Sequence, residues 1–186
     1  MNAAITVAAF AGSLRRQSYN RMLLDAAAGL APENVRISKL DVSDVPLYNM
    51  DLDNEQPPAP VKRIRDAIRA ADALLIVTPE HNYTMSGVTK TVIEWASRPP
   101  ENSSLDGKPV AVMGASPSGF GTVRAQHHVR QAAVESGMLI MQDPELRVSD
   151  AEEKFDDAGR LVDDRLRHQI KAFLAALHQW TLRMKA

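Results

Sequence analysis

The sequence of 186 residues contains no cysteine. Disulfides, thiolate nucleophiles and zinc sites built on cysteine are therefore excluded, and this composition agrees with a reducing compartment. Long apolar runs are also missing. The first one, Ile5 to Phe10, is short, and no segment approaches the roughly 20 apolar residues that span a bilayer. We therefore expect a cytoplasmic protein that does not enter the membrane.

An excess of charge of one sign is lacking as well. The 22 basic residues are balanced by 23 acidic residues and are spread along the chain, so no basic block is available to drive binding to nucleic acid. Three common motifs are absent: GxxxxGK[ST] of P-loop nucleoside triphosphatases, GxGxxG of Rossmann dinucleotide sites and GxSxG of α/β-hydrolases. With 45% hydrophobic residues, the chain is expected to form one compact domain over residues 1–186.

Short aliphatic runs alternate with segments of helical periodicity. The runs predict five strands at Ile5 to Phe10, Val35 to Leu40, Ala73 to Thr78, Val110 to Ala115 and Met138 to Met141. Apolar stripes predict five helices at Met22 to Leu30, Val61 to Ala71, Val88 to Ala96, Arg124 to Ser136 and Val162 to Trp180. The strands do not alternate strictly, which is typical of strands covered on both faces.

This alternation predicts right-handed βαβ units and an α/β fold. In so short a chain it favours a flavodoxin-like three-layer sandwich, with a five-stranded parallel sheet of order 2-1-3-4-5. Two stretches without periodicity, Asp41 to Pro60 and Gln142 to Leu161, are expected to be irregular surface loops. Gly137 stands where a glycine commonly ends a helix.

The loop that follows the first strand, Gly12 to Arg21, predicts an anion site. It leads directly into a helix, whose first amides and positive dipole end attract negative charge. Its polar groups include Ser13, Arg15, Ser18 and Asn20. An arginine can meet a phosphate with two parallel hydrogen bonds. A simpler interpretation makes Ser18 an ordinary N-cap and leaves Arg15 and Arg16 in solvent.

Two further loops should converge with the first, because ligands of open α/β sheets bind beyond the carboxyl ends of the strands. Thr78 to Gly87 gathers polar and aromatic groups that suit the edge of a planar heterocycle, with Tyr83 or His81 packed nearby, although the same residues also suit a plain hydrophilic turn. Ala115 to Thr122 has two glycines that permit close backbone approach, and Phe120 can cover a ring.

In combination, these motifs resemble the NADPH-dependent FMN reductase family, which includes bacterial quinone and chromate reductases. The resemblance is carried by Gly12-Ser13-Leu14-Arg15 with Ser18-Tyr19-Asn20-Arg21, by Pro79-Glu80-His81-Asn82-Tyr83 with Gly87-Val88-Thr89-Lys90, by Trp95-Ala96-Ser97-Arg98-Pro99, and by Ser116 to Thr122 followed by Arg124 and Gln126. It covers nearly the whole chain, and the first two motifs are specific when they occur together.

The resemblance implies a flavodoxin-like fold, tightly bound FMN, NADPH or NADH as co-substrate, and a homodimer or homotetramer. The implied cofactor-binding residues are Ser13, Arg15, Ser18, Tyr19 and Asn20 near the phosphate, Pro79, Glu80, His81, Asn82 and Tyr83 along the flavin, and Ser116, Gly119 and Phe120 on the third side. No catalytic side chain is implied, because the flavin carries the chemistry. The chain departs from the family at His81, where tyrosine is frequent, at Met85-Ser86, where Ile-Pro is frequent, and at His127, where an aromatic residue is frequent.

The expected activity is transfer of hydride from NAD(P)H through FMN to a small acceptor, such as a quinone or free flavin, with ping-pong kinetics. The alternative is a flavodoxin-like electron carrier or regulatory module that binds FMN but docks a protein. The near-neutral charge favours the enzyme, since such carriers usually meet partners by charge complementarity. A metal site is not expected, because His81, His127 and His128 lack a suitably spaced further ligand. The acceptor and the choice between NADH and NADPH remain open.

Overall fold

The computed structural model describes residues 3–185, which form one parallel sheet between two layers of helices. The strands are β1 Ile5–Ala11, β2 Val35–Lys39, β3 Ala73–Val77, β4 Glu80–His81, β5 Thr84–Met85, β6 Pro109–Ala115, β7 Leu139–Ile140 and β8 Leu146–Val148. The α-helices are α1 Tyr19–Gly29, α2 Ala59–Ala70, α3 Gly87–Ala96, α4 Val123–Ser136 and α5 Asp164–Lys185. Between residues 3 and 185, no helix combines the length and apolarity needed to cross a membrane.

The main sheet has the order β2-β1-β3-β6, and both β7 and β8 pair with β6. All of these pairings are parallel, so the predicted flavodoxin-like order 2-1-3-4-5 is confirmed. The short β4 and β5 form a separate antiparallel hairpin.

The fifth strand differs from the prediction in its extent. The sequence predicted one strand over Met138 to Met141, but the structure has β7 at Leu139–Ile140 and then β8 at Leu146–Val148, inside a stretch expected to be irregular. Pro144 has no amide to donate to a ladder, so the chain leaves the sheet before it and rejoins after it. As a result, β8 pairs with the last residues of β6, from Met113 to Ala115, and extends the sheet at its carboxyl edge.

Alternate residues of the central strands face two separate apolar clusters, which explains the lack of polar residues in these strands. Val7 and Ala9 pack with α1 and α5, whereas Ala8 and Phe10 pack with α2, α3 and α4. Trp95 on α3 is fully buried in the second cluster. The helices that follow β1 and β6 therefore lie on opposite faces of the sheet.

The stretch from Asp41 to Pro60 is irregular, as predicted, but side chains of α2 and α3 bind it to the rest of the domain. Trp95 donates its indole N–H to the carbonyl of Pro46 at 2.8 Å, and the ring of Tyr48 lies edge-on to the same indole. Arg65 donates to the carboxylate of Asp53 at 2.7 Å, and both side chains are at most 10% exposed. A buried ion pair of this kind fixes geometry because neither partner tolerates loss of the other.

Asp72 connects β1 to the end of α5 at the edge of the sheet where the strands begin. Its Oδ2 accepts from the amide of Thr6 at 2.7 Å and from its hydroxyl at 2.9 Å, and Lys185 at the end of α5 pairs with Oδ1. Partial burial alone would raise the pKa of Asp72, but the hydrogen bonds from Lys185 and Thr6 outweigh it and lower the pKa to about 2. Because the folded pKa is depressed, the stabilisation is complete above the unfolded pKa of about 3.9 and is lost as the pH falls through about 2.

Asp72→Asn is therefore expected to lower the free energy of unfolding by roughly 1–2 kcal/mol at pH 7, since the variant cannot bear the charge that Lys185 and Thr6 favour. Urea unfolding at pH 7 and at steps between pH 4 and pH 2 measures the difference, which should shrink as the pH falls. Asp66→Asn is the control, because Asp66 pairs with Lys62 on the exposed face of α2 and its loss should cost less than about 0.5 kcal/mol. A deficit for Asp72→Asn that stays constant down to pH 2 contradicts this account.

Candidate functional site

Three loops meet at the carboxyl edge of the sheet, as the sequence predicted. They follow β1, β3 and β6. The first is tied to the second, because Ser86 donates its hydroxyl to the carbonyl of Gly12 at 2.6 Å. Gly12 in turn donates its amide to the carbonyl of Val77, at the end of β3, at 2.8 Å. The loops are thus held together by buried polar contacts.

Asn20 joins the first loop to the third. Its Nδ2 donates to the carbonyl of Ala115 at 2.9 Å, and the amide of Ala115 donates to its Oδ1 at 2.9 Å. Asn20 is 4% exposed, so this reciprocal pair lies away from water. The start of α1 is thereby fixed against the end of β6. The side-chain oxygen and one amide hydrogen of Asn20, which was predicted to hold a phosphate, are engaged in this contact.

Two glycines allow the loops to approach so closely. A Cβ on Gly12 would collide with the hydroxyl of Thr89, and a Cβ on Gly114 would collide with the hydroxyl of Thr122 and the carbonyl of Thr78. The hydroxyl of Thr89 lies 3.0 Å from that of Thr78 and 3.0 Å from that of Ser86. This buried hydroxyl cluster was missed by sequence reasoning, although a glycine within a strand, such as Gly114, signals a close approach.

The first loop surrounds an open cavity of about 550 Å³ lined by Arg15, Arg16 and Gln17. Within residues 3–185, the backbone amides of residues 13–17 have no hydrogen-bond acceptor. Ser18 is the N-cap of α1 and accepts from the amide of Arg21 at 3.4 Å. Ser18 is 3% exposed, and its hydroxyl donates to no acceptor within residues 3–185, so the capping contact does not use its hydrogen. Tyr19 is half-buried and its ring stacks on Phe155, 6.3 Å between centroids.

The second loop folds into the β4–β5 hairpin, with Asn82 and Tyr83 at its tip. Both residues have left-handed backbone angles, with φ of 50° and 65°, as a two-residue hairpin of type I′ requires. Asparagine tolerates this conformation, whereas tyrosine rarely adopts it. The turn leaves the Tyr83 side chain 70% exposed. Pro79 is buried at the base of the loop, and His81 is exposed.

Glu80 connects the second loop to α4. Its Oε2 accepts from the amides of Arg124 at 2.9 Å and Ala125 at 3.3 Å, and its Oε1 accepts from Nη1 of Arg124 at 2.9 Å. Thr122, which precedes the helix, has φ of 65° and makes no side-chain cap. The carboxylate of Glu80 therefore caps α4 from a distant part of the chain, and its negative charge suits the positive end of the helix.

The third loop is hydrogen-bonded to the end of β8, and the residues at its tip are exposed. The amide of Ser116 donates to the carbonyl of Val148 at 2.9 Å, and the amide of Ala151 donates to the carbonyl of Ser116 at 3.1 Å. Gly119 is exposed, and Phe120 is 58% exposed. The segment that sequence reasoning described as irregular thus contains the support of this loop.

The three histidines considered for a metal site differ in burial and in contacts. His128 is half-buried on α4 and its Nδ1 is within hydrogen-bond distance of the hydroxyl of Thr84, whereas His81 and His127 are exposed. His128 thus adds a second contact between the β4–β5 hairpin and α4.

Comparison with known proteins agrees with this geometry. The model of a family described as NADPH-dependent FMN reductase matches residues 5–153. The chain belongs to this family. An NAD(P)H-dependent FMN reductase of Pseudomonas aeruginosa is 48% identical over 181 residues, which cover 97% of each chain. A quinone reductase of Pseudomonas putida is 42% identical over 97% of this chain and 96% of the relative.

Solved structures give the same result. FerB, a flavoenzyme NAD(P)H:(acceptor) oxidoreductase from Paracoccus denitrificans, superposes with a TM-score of 0.88 at 33% identity, covering 97% of this chain and 98% of FerB. A flavodoxin variant from Pseudomonas aeruginosa superposes with a TM-score of 0.62 at 17% identity, which reflects the shared fold alone. The resemblance read from the loops is therefore confirmed at the level of the family.

Asn20→Ala should lower the free energy of unfolding by about 1–3 kcal/mol, because it leaves the buried amide and carbonyl of Ala115 without partners. Urea unfolding at pH 7 measures the loss. Asn54→Ala is the control: Asn54 is exposed and accepts only from the nearby amide of Gln56, so its loss should stay within about 0.5 kcal/mol. Equal stability of Asn20→Ala and the unmodified protein would show that the contact does not hold the loops.

Proposed function

We propose that this chain is an FMN-dependent oxidoreductase that takes electrons from NAD(P)H and passes them to a small acceptor, such as a quinone or free flavin. The observation that carries the proposal is the cradle formed by residues 13–17, whose amides have no acceptor within residues 3–185 and whose Arg15 lines an open cavity, in a loop that is tied to two loops with exposed aromatic rings. The activities of the relatives from Pseudomonas and Paracoccus are of this kind.

The residues present fit FMN. The amides of residues 13–17, Arg15 and the hydroxyls of Ser13 and Ser18 suit a phosphate dianion. An open cavity of about 550 Å³, lined by Arg15, Arg16 and Gln17, adjoins these donors. The flat ring would lie between the second and third loops, beside the Arg124 guanidinium that contacts Tyr83 and Phe120. Bound FMN would supply the redox chemistry, which is the exchange of a hydride equivalent between NAD(P)H and the acceptor.

The chain itself would bind and orient the cofactor and exclude water from the site. Asn20 and Glu80 act as positioning residues, because each fixes one loop against another element by buried or half-buried hydrogen bonds. The exposed rings of Tyr83 and Phe120 shield the slot from solvent. Since all three loops lie at one edge, nicotinamide and acceptor use the same place in turn, which corresponds to ping-pong kinetics. His81 and Met85-Ser86, which differ from the common family pattern, are proposed to alter the acceptor pocket or the packing of subunits.

The chain is proposed to form a homodimer or homotetramer. Analytical ultracentrifugation of the purified protein gives the mass of the assembly. A groove of about 970 Å³ between α3 and α4 is lined by Lys90, Glu94 and Glu135 together with apolar groups such as Val134, which is 87% exposed. Charges of both signs on one face allow two copies to pair about a two-fold axis. The chain is proposed to work in the cytoplasm, consistent with the absence of cysteine.

The purified protein is expected to be yellow or to become yellow with added FMN. Anaerobic NADPH should bleach the yellow flavin absorption, and a quinone added afterwards should restore it, because the two half-reactions are separable. A preparation that remains colourless in excess FMN contradicts the proposal. Bound FMN that NADPH does not bleach would instead favour the alternative, an electron carrier that docks a protein.

Arg15→Ala should weaken FMN binding about 10- to 100-fold, because a charge-assisted contact with phosphate contributes roughly 1.5–3 kcal/mol. Titration of FMN fluorescence with the apoprotein gives the dissociation constant. Arg36→Ala on β2 is the matched control, since Arg36 is exposed near the amino end of its strand. An unchanged dissociation constant for Arg15→Ala would remove Arg15 from the site.

A further inference from the structure

Arg124 occupies an unusual place at the mouth of the proposed flavin slot. Its guanidinium carbon lies 4.2 Å from the centroid of the Tyr83 ring and 4.3 Å from the centroid of the Phe120 ring. Tyr83 belongs to the second loop and Phe120 to the third, and both rings remain more than half exposed. The cation therefore contacts two rings that are both partly exposed to water, an arrangement in which the ring faces attract the positive charge.

The guanidinium keeps hydrogen-bond donors for a ligand. Nη1 donates to Glu80, but Nε and Nη2 have no acceptor within residues 3–185. The side chain is 35% exposed. The carboxylate of Glu80 also accepts from the amides of Arg124 and Ala125, so its charge is shared with the helix end and is not reserved for the guanidinium. The ion pair with Glu80 would be enough to anchor Arg124, so anchoring alone does not explain the additional contacts with the exposed rings of Tyr83 and Phe120.

Arg124 and Arg15 serve opposite faces of the sheet. Arg15 precedes α1, which packs on one face, whereas Arg124 lies in the first turn of α4, which packs on the other. The slot between the second and third loops lies between them. A cofactor phosphate at Arg15 leaves Arg124 available to a second anionic ligand that approaches the slot from outside.

We infer that Arg124 binds a phosphate of the nicotinamide dinucleotide. This inference rests on the proposed function and adds a specificity-determining residue to it. A planar fork with free Nε and Nη2 can meet a phosphate with two parallel hydrogen bonds. The rings restrict the side chain before the ligand arrives, which reduces the entropy lost on binding. The outer face of either ring can also stack on adenine.

The test compares the unmodified FMN-loaded protein with Arg124→Ala. Titration of the oxidised protein with NADP⁺, followed by the flavin absorption spectrum, gives dinucleotide affinity without turnover, and steady-state kinetics give KM and kcat. Affinity for NADP⁺ should fall, and KM for NADPH should rise, about tenfold or more, with kcat within about twofold. The dissociation constant of FMN should not change. Arg124→Lys, which keeps the charge but not the fork, should retain part of the affinity.

Reduced nicotinamide riboside, which carries no phosphate, and NADH identify the phosphate. A loss shared by NADPH and NADH but not by the riboside assigns the pyrophosphate, and a loss with NADPH alone assigns the 2′-phosphate. An equal loss with the riboside would mean a rearranged slot and would contradict the inference. Arg69→Ala is the matched control, because Arg69 also pairs with a carboxylate but lies at the end of α2, at the opposite edge of the sheet.

Unchanged NADP⁺ affinity in an FMN-loaded Arg124→Ala variant overturns the inference and leaves the proposed function intact. Failure of the unmodified protein to bind FMN overturns the proposed function instead. If Arg124→Ala does not retain FMN, Arg124→Gln is used in the same titration. Its amide can still donate to Glu80, but it carries no charge for a phosphate, so it too should lose dinucleotide affinity.

Discussion

The reciprocal hydrogen bonds between Asn20 and Ala115 are the contact on which the site depends. They join residues 95 positions apart in the sequence and are buried, so breaking them leaves polar groups without water or protein partners. By fixing the start of α1 against the end of β6, they hold the first loop, with its free amides, next to the third loop. Loss of this contact would remove that link between the two loops.

A second long-range constraint, the capping of α4 by Glu80, completes the arrangement. It spans 44 positions and replaces the side-chain cap that Thr122 does not provide. The same carboxylate also accepts from the guanidinium of Arg124, which contacts Tyr83 and Phe120. The capping of α4, the position of the β4–β5 hairpin and the position of the Arg124 charge therefore depend on one side chain. The loops gain rigidity from a few directional contacts, as a binding site built on loops requires.

The sequence predicts the fold well because its signals are local. Buried strands alternate with amphipathic helices, and Ser18 and Gly137 mark helix ends as expected. The missed features depend on distant partners. β8 has three residues and follows Pro144, so periodicity cannot detect it. The turn at Asn82-Tyr83 contains a tyrosine in a left-handed conformation, which composition disfavours.

The candidate site was predictable as a set of loops but not as a set of contacts. Asn20 and Glu80 were assigned to the cofactor from their motifs, and in the structure their polar atoms bind Ala115 and α4. Local patterns identify polar residues near a strand end, but they do not say which backbone group each side chain meets. The roles of both residues in positioning loops follow only from the tertiary structure, and their contact with FMN stays a prediction.

Hydrogen–deuterium exchange of the protein with and without FMN tests the central claim most directly. The account predicts that FMN slows exchange at the amides of residues 13–17, which have no acceptor among the described residues 3–185, and in the third loop over residues 116–120. Residues 100–106, which precede β6 at the opposite edge, should exchange at the same rate in both states. Unaltered exchange over residues 13–17 in FMN-saturated protein would contradict the account.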